Sequence, residues 1–130
     1  MPKHIHFPPR ELAVMSVLWK RGSATVTEVR DALDERLAYT TVLSALQTLA
    51  EKGFVRHKLE GRAYRYFPAV AAERAGNSAL ARIRDSIFHG SASRLFAQLV
   101  SDEGLTREEL ERIGKMLRQR LRDAKKEDSA

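Results

Sequence analysis

The sequence predicts a mainly α fold with a small β-hairpin wing: three helices, the hairpin, then three more helices. Three observations carry this. Apolar residues recur at helical spacing in three runs between Leu12 and Leu49, each separated from the next by turn signals. From Phe54 to Pro68, aromatic and β-branched residues form two strand-like runs joined at Gly61-Arg62, the pattern of a hairpin. Beyond Pro68 the helical period returns and holds to Leu121.

The first helix opens at Pro8-Pro9, since proline is tolerated where the first amides of a helix lack partners anyway. Leu12, Met15, Leu18 and Trp19 form its apolar stripe, and Gly22 ends it. Ser23 to Thr25 leaves room for one short strand. Thr25-Val26-Thr27-Glu28 is a capping-box pattern that starts the second helix. Val29 and Leu33 make its stripe, and "DER" from Asp34 to Arg36 closes it. The third helix runs from about Tyr39 to Lys52 and stops at Gly53, a C-terminal glycine signal. "FVRHKLE" and "AYRYFP" are the hairpin strands, the second ended by Pro68. An alanine-rich helix follows from Ala69 to Phe88, with Leu80, Ile83 and Ile87 on one stripe, broken at His89-Gly90-Ser91. The next, Ser91 to Ser101, carries Leu95, Phe96, Leu99 and Val100. A second capping box, Thr106 to Glu109, opens the last helix, with Leu110, Ile113, Leu117 and Leu121 on one face. The terminal "KKEDSA" reads as a frayed polar tail. There is no internal repeat. The order of elements matches a winged helix-turn-helix over residues 1–68, followed by a helical dimerisation region over 69–130.

Composition narrows the function classes. With 130 residues the chain holds one core, or one compact domain plus a smaller appendage. A net charge of +6 and a pI near 10.0 favour an anionic partner, nucleic acid first and an anionic membrane surface second. Cysteine is absent, which excludes disulfides, Cys-based zinc sites and thiol nucleophiles and suits a reducing cytoplasm. No apolar run approaches the roughly 20 residues of a membrane span, and "MPKHIHFPPR" lacks a signal core. A cytoplasmic protein without membrane insertion is expected. His4 and His6 form an H-x-H with no third ligand nearby, and Ser91 and Ser93 have no activating base in sequence. Phosphate-loop, H-E-x-x-H and nucleophile-elbow motifs are missing. The expectation is a protein that is not an enzyme and carries no metal or cofactor.

The third helix is the informative one. Val42, Leu46 and Leu49 fall at i, i+4 and i+7 and should pack on the first two helices. Tyr39, Thr40, Thr41, Ser44, Gln47 and Thr48 lie elsewhere on the helix and are polar but uncharged. Such side chains suit base edges, where hydroxyls donate or accept, Gln pairs with adenine, and the Thr methyl meets the thymine methyl. Charge is better used on phosphates. Lys52, Arg56, Lys58, Arg62 and Arg65 stand just beyond this front, at the helix end and along the hairpin, with Glu51 and Glu60 among them. Arg62 occupies the hairpin tip. Tyr64 and Tyr66 share a strand face by the period-2 rule, and either hydroxyl is expected to reach a phosphate. Helix caps and a solvated strand edge would explain each residue singly; the combination favours double-stranded DNA.

These residues also carry a resemblance. "ELAVMSVLWKRGSATVTEVRDAL", "LAYTTVLSALQTLAEKGFVRHKLEGRAYRYFP", "IFHGS" and "LTREELERIGKML" resemble the BlaI/MecI penicillinase-repressor family, from Pro9 to about Leu121. The resemblance implies a winged-helix domain, an intertwined homodimer built by the C-terminal helices, and repression at inverted-repeat operators. It places base contacts on Tyr39, Thr40, Thr41 and Ser44, and wing contacts on Arg62 and Tyr64. The dimer seam would draw on Ile87, Phe88, Leu95, Phe96, Leu99, Leu110, Ile113, Leu117 and Leu121. In resistance-type members a membrane sensor-protease signals induction, and the repressor is cut in the fifth helix at an Asn-Phe bond. The matching bond here is Gln98-Leu99, a departure; core packing explains "LFAQLV" without a protease. A copper-sensing branch carries a C-terminal Cys motif, which this chain lacks. Two alternatives stand beside the repressor: a winged-helix module for protein-protein contact, and a regulator controlled by a small-molecule ligand.

Overall fold

The computed structural model describes residues 5–129. Its elements are α1 (Pro9–Arg21), β1 (Ala24–Thr25), α2 (Val26–Ala32), α3 (Tyr39–Glu51), β2 (Val55–Glu60), β3 (Ala63–Pro68), α4 (Ala72–Ser86), α5 (Ala92–Val100) and α6 (Arg107–Ser129). The chain divides into two compact units, with the division falling within α4 between Arg82 and Ile83.

In the first unit, Met15, Leu18, Leu46, Leu49, Val14, Val29 and Val42 are fully buried and knit α1, α2 and α3 together. Burying a side chain of this size contributes roughly 1.5–3 kcal/mol, so this cluster is the main source of the unit's stability. α3 contributes its Val42–Leu46–Leu49 stripe as the sequence predicts. It ends in a Schellman motif: Phe54 N–H donates to the Leu49 carbonyl at 2.9 Å and Gly53 N–H to the Ala50 carbonyl at 3.0 Å. That turn needs φ +84° at Gly53, and the adjoining Phe54 is buried against the core. The hairpin strands pair from Val55↔Pro68 to Glu60↔Ala63, leaving Gly61-Arg62 as a two-residue loop with φ +65° at the glycine. β1 pairs with β3, giving a three-stranded antiparallel sheet in the order β1-β3-β2.

Long-range bonds tie the edges of this unit. Trp19 Nε1 donates to the Val70 carbonyl at 2.8 Å, and the Phe7 ring stands edge-on to both Trp19 and Phe54. Ile5 is buried, and its carbonyl accepts from Ser78 Oγ at 3.0 Å and Arg82 Nη2 at 3.1 Å. The Thr25–Glu28 capping box forms in both directions. Glu28 is also gripped by Arg21 at 3.3 Å and Arg65 at 3.0 Å. The Thr25 backbone N–H, then Arg65 and Arg21, hold its carboxyl below the usual range despite partial desolvation.

Several expectations need correction. Leu12 is 47% exposed, because the α1 stripe turns Val14, Met15 and Leu18 to the core and leaves Leu12 outside it. α2 stops at Ala32, and Leu33 is already extended at φ −78°, ψ 140°, so "DER" follows the helix and does not close it. The alanine-rich helix is shorter than expected at both ends, Ala72–Ser86. The "KKEDSA" stretch is helical through Ser129, Lys and Glu being good helix formers. His4 of the H-x-H lies outside the described residues.

The second unit contains the end of α4, then α5 and α6. His89 (φ +50°) and Gly90 (φ +84°) turn the chain after α4, with Gly90 N–H donating to the Arg84 carbonyl at 2.9 Å. Ser91 caps α5 by accepting from Arg94 N–H at 3.2 Å, and Thr106 accepts from Glu109 N–H at 3.1 Å at the start of α6. No residue of α5 or α6 is buried. Leu110, Leu117 and Leu121 are exposed along one face of α6, and Ile113 is half-buried.

Candidate nucleic-acid interface

At 3.6 residues per turn, Thr40, Ser44, Gln47 and Glu51 fall within an arc of roughly 60° on α3, opposite the buried stripe. All four are exposed, and the first three carry no charge. α3 has no acidic residue in its first turn and no basic residue in its last, and Ala38 gives it no side-chain cap. The first-turn amides therefore meet no side-chain capping oxygen, Thr41 N–H donating to the Ala38 carbonyl at 3.1 Å, and the N-terminal end of α3 is the positive end of its dipole.

The ridge separates two grooves. On one side, Arg10 and Glu11 of α1 face Thr40, Thr41, Ser44 and Thr48 across a hollow of about 390 Å³. Thr41 and Thr48 are half-buried in this wall. On the other side, Tyr39, Leu43 and Gln47 face His57, Arg62 and Tyr64 of the wing across a hollow of about 610 Å³. The six polar residues predicted on the third helix are thus divided between the ridge and its flanks.

The predicted cations do not share one surface. Lys52 Nζ is paired with Glu11 at 3.0 Å, so a phosphate would compete with that carboxylate. Arg62 is exposed at the hairpin tip and lines the wing-side groove. By strand alternation Arg56 and Lys58 lie on the hairpin face opposite to His57 and Leu59. Lys58 sits directly across from Arg65 in the register. Arg65 is removed from the expected phosphate contacts. Its Nε donates to Glu60 at 2.9 Å, and its Nη1 donates to Glu28 at 3.0 Å and Ser23 at 3.3 Å. The Glu60 hydrogen bond is the main cause that holds its guanidinium more firmly protonated than usual. The two tyrosines share a face yet differ in exposure. Tyr64 is 46% exposed, whereas Tyr66 is 3% exposed and burial pushes its phenol above the ordinary tyrosine range, so only the Tyr64 hydroxyl is free to reach a phosphate.

One groove residue escaped the sequence reading. His57 is exposed, with its ring edge-on to Tyr64 at 4.6 Å and tilted on Tyr66 at 5.8 Å. The period-2 alternation that pairs Tyr64 with Tyr66, carried across the hairpin, was the signal that could have placed it there.

The model of the penicillinase repressor family matches residues 8–119. The chain belongs to the penicillinase repressor family. Transcriptional regulator BlaI of Mycobacterium tuberculosis is 49% identical over 61 residues, 45% of this chain and 44% of that protein. The chain therefore spans less than half the length of this relative in the matched region. Penicillinase repressor of Bacillus licheniformis is 25% identical over 109 residues, 82% of this chain and 85% of that protein. The solution structure of Bacillus licheniformis BlaI, in monomeric form in complex with the blaP half-operator, is 32% identical. It covers 56% of this chain and 92% of that one, with a TM-score of 0.48. The two sequence relatives are a transcriptional regulator and a penicillinase repressor. Among the described residues no helix is long and apolar enough to cross a membrane, and no group of three His, Asp or Glu side chains is placed to hold a metal ion.

Proposed function

We propose that this chain is a cytoplasmic transcriptional repressor that binds an inverted-repeat DNA operator as a homodimer. Residues 1–68 supply the winged helix-turn-helix and 69–130 the dimerisation region. The observation that carries the reading is the exposed, uncharged Thr40–Ser44–Gln47 ridge at the positive end of α3, with Arg62 and Tyr64 on the wing beside it. The ridge reads base edges, helped by Tyr39, Thr41 and Thr48, and the wing holds the phosphate backbone. Lys52 joins it by exchanging Glu11 for a phosphate, and Arg56 and Lys58 serve backbone beyond the hairpin's outer face. Ser44→Ala is expected to cost about 1–3 kcal/mol on the cognate operator and little on random DNA. Equal losses on both sequences in a binding titration would remove Ser44 from base reading.

The apolar faces of α5 and α6 support the two-fold assembly. Ile87, Leu99, Leu110, Leu117 and Leu121 are exposed, Phe88, Leu95, Phe96 and Ile113 only half-covered, and a second copy would bury them. A two-fold protein matches a two-fold operator. Relief by a membrane sensor-protease belongs to the same reading. The Gln98-Leu99 bond lies between the winged helix and the Leu110–Leu121 seam, so its hydrolysis severs the DNA-binding part from that seam. A repressor that stays intact when co-expressed with its induced sensor-protease would dispose of that mode of relief.

A further inference from the structure

The groove between α3 and the wing carries no net fixed charge. Its walls carry one guanidinium, Arg62, and one carboxylate, Glu51, whose formal charges cancel. The other titratable groups facing the groove are Tyr39 from α3, Tyr64 and Tyr66 from β3, and His57 from β2. Val26 contributes from α2 and brings no charge. Tyrosine, arginine and carboxylate side chains ordinarily keep their charge state between pH 6 and 8, whereas histidine is the side chain that changes it there. Burial takes Tyr66 still further from that window.

The position of His57 is fixed by the fold. Strand alternation sends Arg56 and Lys58 to the outer face of the hairpin and leaves His57 on the inner face, in register with Tyr66. The Tyr64 and Tyr66 rings hold the imidazole beside the groove at 4.6 and 5.8 Å. It is exposed, and it shares the wall with the tip residue Arg62.

We propose that His57 is a protonation-dependent phosphate contact of the wing: as imidazolium it turns a neutral groove cationic and makes operator affinity rise with falling pH. The inference rests on the DNA-binding reading above. Binding a phosphate favours the charged form, so complex formation takes up a proton. One linked proton allows a change of at most tenfold in affinity per pH unit.

The test is operator binding by the full chain at pH 8 and pH 6, each titrated with salt, for the wild type, His57→Gln, His57→Lys and Arg62→Ala. The wild type is expected to bind several-fold tighter at pH 6, with a salt slope steeper by about one unit. His57→Gln should bind as the wild type does at pH 8 and lose both changes. His57→Lys should bind tightly and independently of pH, which shows the wing still folds with a fixed charge there. Arg62→Ala should bind more weakly at both pH values and keep the pH dependence. A wild type that does not bind the operator at either pH defeats the DNA-binding reading itself. A wild type that binds, with His57→Gln keeping the same pH dependence, overturns the role of His57 alone, and so does a pH-dependent His57→Lys.

Discussion

Replacing Leu117 and Leu121 together by aspartate is expected to give a monomer and to lower affinity for a full inverted repeat by about 10²–10⁴-fold. The size follows from linkage between sites. In the dimer, once one winged helix is bound, the second binds its half-site intramolecularly, at an effective concentration far above that of free protein. Two carboxylates on the α6 face would have to be desolvated against a partner's apolar face, which costs more than the seam returns. Both positions are well exposed in the single chain, Leu121 at 69%, so the substitutions leave the fold of the chain itself intact. Affinity for an isolated half-site should accordingly stay at the wild-type value. Sedimentation velocity together with binding to full and half operators checks both parts. A variant that still dimerises contradicts the proposed seam, and a monomer whose operator affinity is unchanged contradicts two-fold binding to the operator.

Leu46→Ala is the larger test of the winged helix. Leu46 is fully buried where α3 packs on α1 and α2, so truncation removes apolar contact and leaves a cavity that the surrounding helices fill only in part. The expected loss is about 2–5 kcal/mol, a large share of the roughly 5–15 kcal/mol that holds a typical domain. A drop in melting temperature of about 10 °C or more should accompany it. Ser44, one helical face away and exposed, should melt within about 0.5 kcal/mol of wild type when changed to alanine. Comparable melts for the two variants would mean that α3 is not anchored by its apolar stripe.

How much of this the sequence discloses depends on how local the cause is. The Thr25–Glu28 box, the Gly53 stop and the two-residue turn at Gly61-Arg62 were legible because each is set within a few residues of itself. The same holds for the α3 stripe, which its period reveals. Burial is harder to read. Leu12 and Met15 belong to one apolar pattern, yet only the placement of α1 on its neighbours decides which of them meets the core. Tyr64 and Tyr66 illustrate the same limit on a strand: shared facing is local, but β3 runs from the hairpin tip into the core, leaving Tyr64 exposed near the tip and Tyr66 buried. Arg65 was least legible, because its partner Glu28 lies 37 residues away in the chain. His57 stands between Arg56 and Lys58 in a basic run, and only its register with Tyr66 across the hairpin sets it apart as the residue that faces the groove.

The proposed division of labour at the interface is that the neutral ridge of α3 reads sequence while cations around it hold phosphate. It is tested most directly by titrating binding to the DNA upstream of the chain's own gene against salt, beside a scrambled duplex of equal length. Tight binding to the first, with affinity falling steeply as salt rises and a clear preference over the scrambled duplex at every salt concentration, is the expected result. Equal affinity for both duplexes, or binding indifferent to salt, would contradict it.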